Sequence, residues 1–253
     1  MNIIDKSRIR SKFASAIATY DTQAIAQKAV NSRLIEIIKE YGRTQFNSVL
    51  ELGCGTGDFS VRLVESCSAN KWVFNDLIAD IEDIIRGKLP LVDFKFLCGD
   101  SEFLEFNDRF DLIASASTVQ WFENLEVFLI NLNDHLNNNG LLLISTYLPD
   151  NLKEIQTQTS LSLNYLSEEK ILNALRNRYE LLYYEPLKVQ LEFDSGRDML
   201  NHLRETGVNA VSDRSFSLSD TRKLIKRYEE ASALPNGKFS LTYSAFLFLA
   251  KKL

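Results

Sequence analysis

The stretch Glu51-Leu52-Gly53-Cys54-Gly55-Thr56-Gly57 limits what this chain can become more than any other part of it. Ser48-Val49-Leu50 before it is apolar enough to end a buried strand, and Asp58-Phe59-Ser60-Val61-Arg62-Leu63-Val64 after it repeats its apolar residues at the period of a helix. The glycines therefore sit at a strand-to-helix turn. They provide a backbone free to take left-handed dihedrals and bare of side chains, so that a ligand can lie directly on it beside a helix N-terminus. The spacing is not the G-x-G-x-x-G of a dinucleotide fold, nor a P-loop, since no Gly-Lys-Ser/Thr follows. A triphosphate has no cradle here.

Two carboxylates frame the turn. Glu51 precedes the first glycine, and Asp76 closes the next apolar run, Lys71-Trp72-Val73-Phe74-Asn75-Asp76. In an open α/β sheet, ligands bind at the carboxyl ends of the strands where strand order reverses. An acidic residue ending the second strand suits a ribose diol, and one beside the glycine turn suits a cationic amino-acid group. The pair asks for a nucleoside joined to an amino acid.

With these residues the chain resembles the class I S-adenosylmethionine-dependent methyltransferases, whose first motif is an acidic residue, an apolar residue, then G-x-G-x-G. Gly99-Asp100-Ser101 after a third strand and Phe110-Asp111-Leu112-Ile113 opening a fourth extend the likeness. The resemblance implies that Glu51, Gly53, Cys54, Gly55 and Gly57 hold the methionine part of the cofactor, Asp76 the ribose, and Asp100 with Ser101 the adenine, against Leu77 or Ile78.

The order of elements fits such a sheet. Strands are expected at about residues 47–52, 71–76, 92–97, 110–116 and 140–147, alternating with helices such as Leu125 to Leu136. That βα alternation argues for a parallel, doubly wound core. Before it, Ile3 to Tyr41 reads as a helix pair broken near Thr19-Tyr20-Asp21-Thr22, an extra layer (1–45) able to close over a cofactor. Asn137-Asn138-Asn139-Gly140 reads as a helix stop and turn. Helices follow at about 150–160 and 167–177, then a long strand Tyr179 to Phe193 and a last one, Phe239 to Ala250. The expected architecture is α/β: a Rossmann-like, seven-stranded, mostly parallel sheet with an antiparallel C-terminal hairpin, an N-terminal helical lid and a helical insertion before the last strand. It divides into the lid, a cofactor-binding core (46–193), an insertion for substrate or partner (194–236) and the last strand (237–253).

At 253 residues a single domain with its own core is the expectation, and 45% hydrophobic with 25% charged residues is ordinary for a soluble chain. No apolar run is long enough for a membrane span and Met1-Asn2-Ile3-Ile4 opens no signal-peptide core, so the cytoplasm is the expected compartment; a monomer with no membrane or nucleic-acid partner is a separate expectation. Cys54, Cys67 and Cys98 are odd in number and lack a C-x-x-C, so neither a disulfide framework nor a zinc site is indicated. His135 and His202 are the only histidines, far apart and on expected helices, and read as structural. Charge is segregated: between 197 and 227 seven basic residues face four acidic ones, and Lys6, Arg8, Arg10 and Lys12 add four more positive charges, in a chain of net charge −5. Such segments are either solvated helix faces or a basic rim for an acidic macromolecule.

Further patches narrow the resemblance. Lys12-Phe13-Ala14-Ser15-Ala16 with Tyr20-Asp21 and Ala26-Gln27, Ser117-Thr118-Val119-Gln120-Trp121, Leu203-Arg204-Glu205-Thr206-Gly207-Val208-Asn209 and Leu241-Thr242-Tyr243 are similar to the malonyl-acyl-carrier-protein O-methyltransferases of biotin synthesis. That resemblance implies methyl transfer to the free carboxylate of a malonyl thioester, giving an ester that fatty-acid synthesis elongates as a neutral primer. It implies an acidic acyl carrier protein as partner, met by Lys6, Arg8, Arg222, Lys223, Lys226 and Arg227. Tyr20 and Gln27 become lid residues reaching the cofactor's polar end, and Gln120, Trp121, Arg204 and Tyr243 the substrate candidates. An arginine could pair with the malonyl carboxylate, at the cost of blunting its nucleophilicity. Methylation of a free small acid, as in trans-aconitate methyltransferases, or of a quinone-like ring remains open, as does a non-catalytic cofactor-binding protein.

Overall fold

The computed structural model describes residues 5–159, 163–208 and 217–253; Met1–Ile4 and, from the expected insertion, Asn209, Asp213 and Arg214 lie outside them. Seven strands form one sheet in the order β3-β2-β1-β4-β5-β7-β6. They are β1 (Gln45–Leu52), β2 (Ser68–Asp76), β3 (Phe94–Cys98), β4 (Phe110–Ser115), β5 (Leu136–Tyr147), β6 (Tyr179–Phe193) and β7 (Phe239–Lys252). The first five are parallel, and β7 runs antiparallel between β5 and β6. Chain order reverses at β1, which has β2 on one side and β4 on the other, so the glycine turn leaving β1 opens at the switch point.

Alternation along the strands builds the two layers. Val49, Phe74, Leu112, Leu143 and Leu247 face helices α2 (Ile25–Tyr41), α3 (Asp58–Ser66) and α4 (Ile81–Lys88). Leu50, Val73, Ile113, Leu142 and Phe248 face α5 (Leu125–Leu132) and α7 (Glu168–Leu175). Every residue of β4 is buried, as a strand covered on both faces must be. Between β5 and α7 lies α6 (Lys153–Thr159); between β6 and β7 lie α8 (Gly196–Glu205) and α9 (Leu218–Ser232), the expected helical insertion in the closing hairpin. Among the described residues no helix is long and apolar enough to cross a membrane.

Three boundaries differ from the sequence reading. The leading helix α1 (Lys6–Gln23) runs through Thr19–Thr22 and breaks at Ala24, whose dihedrals of −76° and 49° leave the helical region. Tyr20 and Asp21 stay helical because α1's last turn is anchored on both sides: Thr19 Oγ1 donates to Glu205 O at 3.0 Å, and Asp21 accepts from Thr56 and Lys88. The helix after β4 ends at Leu132, and His135 closes a 3-10 turn rather than sitting on a helix. Asn137–Gly140 belongs to β5, whose pairing with β4 slips between Phe110 and Leu112. Asn137 Nδ2 donates to Asp111 Oδ1 at 2.8 Å, Asn139 takes a φ of 58°, and a Cβ on Gly140 would meet two backbone oxygens at 2.8 and 3.0 Å. The polar run is an irregular strand start, stitched to its neighbour by side chains.

Candidate active site

The glycine turn is built as the spacing requires. Gly53, Gly55 and Gly57 have φ of 66°, 51° and 88°, the left-handed region. At Gly53 the reason is also spatial, since a Cβ there would lie 2.2 Å from Thr118 Cγ2, and Thr118 Oγ1 donates to Gly53 O at 3.1 Å. β2 fixes the other wall. Asn75 Nδ2 donates to Leu97 O and Gly99 O, stapling β2 to the end of β3, while Cys54 N donates to Asn75 O. Asp76 follows, its two oxygens accepting from Gly55 N and Ile78 N, each at 2.9 Å. Burial raises the Asp76 carboxyl above its ordinary range, against the pull of those N–H groups.

All eleven expected cofactor residues line one cavity: Tyr20, Gln27, Glu51, Gly53, Cys54, Gly55, Gly57, Asp76, Leu77, Asp100 and Ser101. Glu51 is 1% exposed, and burial, with the nearby Asp76 charge, pushes its carboxyl up to about 8. Its Oε2 has no hydrogen-bond partner, and neither has Gln27 Oε1. Unpaired buried acceptors cost free energy unless a ligand satisfies them. Asp100 is fixed from outside, its carboxylate taking Lys6 Nζ at 3.1 Å and accepting from Glu102 N. Burial raises the Cys54 thiol well above its ordinary range, so it stays a protonated wall group.

α1 covers this cavity with Lys6, Ile9, Arg10, Phe13, Ile17 and Tyr20, one face of the helix. It is anchored at its start by Lys6, paired with Asp100 and with Glu102 at 2.9 Å, and at its end by Asp21. Lys6, expected on a partner surface, is thus turned to the cavity's rim.

A second, smaller cavity of about 20 Å³ lies beside the first, sharing Phe13, Tyr20, Gln27, Ser117 and Trp121 with it. Of the four substrate candidates, three line it. Gln120 and Trp121 arrive on the 3-10 turn after β4, with Trp121 edge-on to Phe13 at 5.5 Å, and Tyr243 arrives from β7. Arg204 does not. It is exposed on α8 and its guanidinium donates to Asn201 Oδ1 at 3.1 Å. The patch around it has a packing role: Gly207, at φ 69°, lies so close to α1 that a Cβ would sit 3.0 Å from the Phe13 ring, and Thr206 Oγ1 donates back to His202 O. Tyr147 and Tyr165 also line the small cavity and were not foreseen; Tyr147, last residue of a parallel strand, stood where the strand-end rule points.

S-adenosylmethionine can be tested against these groups. Its ammonium matches the unpaired acceptors of Glu51 and Gln27, its ribose diol the Asp76 carboxylate, and its backbone contact the bare turn at Gly53 and Gly55. The donor set fits. Among the described residues no cluster of three or more His, Cys, Asp or Glu could hold a metal.

Residues 49–140 match the family model described as a methyltransferase domain. The chain is 40% identical over 249 residues to the malonyl-acyl-carrier-protein O-methyltransferase of Haemophilus influenzae, covering 98% of this chain and 95% of that protein. To the enzyme of the same name from Porphyromonas gingivalis it is 34% identical over 250 residues, covering 98% and 96%. Among solved structures it is similar to the N-methyltransferase NodS from Bradyrhizobium japonicum WM9 in complex with S-adenosyl-L-homocysteine, at a TM-score of 0.54 and 12% identity over 92% of this chain and 98% of that one, a likeness of fold alone. Two matches spanning almost the whole chain, lid and insertion included, place it in the family of malonyl-acyl-carrier-protein O-methyltransferases, enzymes that depend on S-adenosylmethionine.

Proposed function

We propose that this chain methylates the free carboxylate of a malonyl group carried as a thioester on an acyl carrier protein. The observation that carries the reading is the second cavity: it adjoins the expected methionine end of the cofactor and, among the described residues, offers no base. Burial pushes the Tyr147 hydroxyl up to about 12 and those of Tyr20, Tyr165 and Tyr243 further, and it pushes the neighbouring His202 down to about 4. None of them takes a proton near neutral pH. A carboxylate needs no base because it arrives ionised, whereas a phenolic acceptor would have to lose a proton first.

When bound, the cofactor supplies an electrophilic sulfonium methyl. The chain's own work is placement and exclusion of water. Glu51 and Gln27 hold the amino end, Asp76 the ribose, and Asp100 with Ser101 the adenine; α1 acts as a lid whose Phe13 and Tyr20 seal the junction between the cavities. Orientation of this kind contributes about 7–11 kcal/mol in favourable cases.

The partner reading rests on α9. Arg222, Lys223, Lys226 and Arg227 are all exposed along one helix of an acidic chain, and Lys226 is 3.8 Å from Glu230 with both largely in solvent. An acidic carrier would be steered there. The test is mass spectrometry of the purified protein with S-adenosylmethionine and malonyl-acyl carrier protein, malonyl-CoA or free malonate. One methyl gained on the carrier-bound acid, much faster than on the other two, is the expected result; no gain on the carrier-bound acid, with cofactor binding intact, refutes it.

A further inference from the structure

The small cavity presents hydrogen-bond donors and, among the described residues, neither lysine nor arginine. Its protons can be counted from fixed groups inward. The Ser244 N–H can only donate, and it donates to Asn151 Oδ1 at 3.0 Å. Asn151 Nδ2 therefore faces the Tyr165 oxygen, 3.1 Å away, and donates to it. The proton of Tyr165 is left free to point elsewhere. The hydroxyls of Tyr147 and Ser117 are 3.2 Å apart, so one of the two donates to the other and one proton is left over. Tyr20 contributes a further hydroxyl. Tyr243 lies 2.8 Å from His202 Nε2, and His202 is buried but is not part of the lining. Ser117 itself is held at a φ of 53°, left-handed for a residue with a side chain, by the Ser145 hydroxyl accepting from its N–H at 2.9 Å.

We propose that this cavity seats the methyl-accepting carboxylate on uncharged hydroxyl donors, chiefly Tyr165 and Tyr243, and that His202 is a positioning residue. In this arrangement His202 takes the tautomer with its proton on Nε2, which donates to the Tyr243 oxygen, 2.8 Å away, and turns the Tyr243 proton toward the carboxylate. The proposal rests on the function argued above and names the groups that would recognise its acceptor.

The chemistry favours neutral donors. The C–O bond forms as the C–S bond breaks, and the negative charge of the carboxylate disappears with the positive charge of the sulfonium. A cation paired with the carboxylate would stabilise the anion more than the transition state, and so would slow transfer. Hydroxyl bonds to a carboxylate are weaker than a guanidinium fork, yet they still orient two oxygens with about four lone pairs. Burial keeps all four tyrosines protonated, so they stay donors across the working pH range.

The experiment compares wild type with Tyr165→Phe, Tyr243→Phe, His202→Phe, His202→Gln and Arg214→Gln. Steady-state transfer to malonyl-acyl carrier protein is measured, together with calorimetric binding of malonate to the S-adenosylhomocysteine complex. Tyr165→Phe and Tyr243→Phe are each expected to lower kcat/KM roughly tenfold to hundredfold, the worth of one hydrogen bond to a charged group, with S-adenosylhomocysteine affinity unchanged. His202→Phe, which keeps a ring against Phe193 (5.2 Å between centroids), should reproduce the Tyr243→Phe loss and add nothing to it in the double variant. His202→Gln, with a donor at similar reach, should recover most of it, which a merely structural role would not. Unchanged kcat/KM in both tyrosine variants, or a loss confined to Arg214→Gln, overturns the proposal. If the wild type binds malonate in a Tyr165-dependent way but does not methylate the carrier-bound acid, the substrate reading falls and the seat stands; if it does neither, both fall.

Discussion

Replacing Glu51 by Gln should make the free protein more stable and the enzyme worse. Its carboxyl rises from an ordinary 4.5 to about 8 because burial penalises the charged form. A carboxyl whose folded-state value is raised favours folding in its neutral form, so the cost of keeping it ionisable grows as pH climbs from 4.5 to 8 and is level above that. At pH 7 the cost is about 3 kcal/mol, taking roughly 1.36 kcal/mol for each of roughly 2.5 pH units. Glutamine cannot ionise and keeps the shape, and its amide can take the carboxyl's place beside the buried Ser60 hydroxyl. For a chain of this length about 3 kcal/mol corresponds to roughly 6–12 °C in melting temperature. Near pH 5.5 the gain should shrink to about 1.4 kcal/mol. The cofactor meanwhile loses the charged partner of its ammonium, worth about 1.5–3 kcal/mol. Thermal unfolding of both proteins at pH 5.5 and 7.5, with and without S-adenosylhomocysteine, reads both effects at once. A variant no more stable than wild type at pH 7.5, or a gain equal at the two pH values, would refute the buried-carboxyl argument; an undiminished ligand-induced shift would refute the role assigned to Glu51.

Reversing charge on α9 with Arg222→Glu and Lys226→Glu should lower kcat/KM for carrier-bound malonate about tenfold at low ionic strength, with the gap closing as salt shortens the screening length toward roughly 8 Å; malonyl-CoA turnover, measured in parallel, should not change. Gly53→Ala puts a Cβ 2.2 Å from Thr118 at a φ of 66°, and should cost about 1–3 kcal/mol in urea unfolding and abolish S-adenosylhomocysteine binding; Thr118→Ala added to it relieves the clash but not the backbone strain. Lys6→Met removes the ion pairs to Asp100 and Glu102, and should speed S-adenosylhomocysteine release severalfold in stopped-flow displacement, consistent with about 1 kcal/mol for a partly exposed pair.

The cavity expected to take the cofactor was legible because its walls are carried by backbone. A strand, three glycines and a helix in direct succession determine both a turn and what can rest on it, and Asp76 needs only to end the next strand. The closing hairpin was legible for a related reason: β6 and β7 are long enough to stand out from their surroundings, and Tyr179–Phe193 has the bounds expected of it. The lining of the second cavity is different. Gln120, Tyr147, Tyr165 and Tyr243 come from a 3-10 turn, two strands and a connecting segment, and no local pattern relates them; only packing brings them to one cavity. Arg204 misled because charge suggests contact with a carboxylate, whereas the hydrophobic face of α8 sends Met199 and Leu203 inward and leaves the arginine in water. The break in the leading helix pair was placed too early since Tyr20 and Asp21 are held helical by contacts with α8, the glycine turn and α4, all distant in sequence.

The positions of the positive charges then follow one logic. Around the site, cations lie at the rim, where Lys6 ties the covering helix to Asp100 and Glu102, at that helix's far end, where Lys88 holds Asp21, and on the exposed face of α9, which the proposed function gives to the carrier. Among the described residues they are missing from the tyrosine-lined cavity, the proposed seat of the reacting acid. A lysine or arginine there would bind the acid more tightly and leave a less reactive oxygen, since tight binding of the ground state does not speed the chemical step. On the proposals above, holding the carrier by charge at a distance, and its acid by hydroxyls at the point of transfer, would separate affinity from reactivity. Because Phe13 and Tyr20 wall both cavities, the helix proposed to shut in the cofactor would also complete the seat of the acceptor, and one closure would exclude water from both.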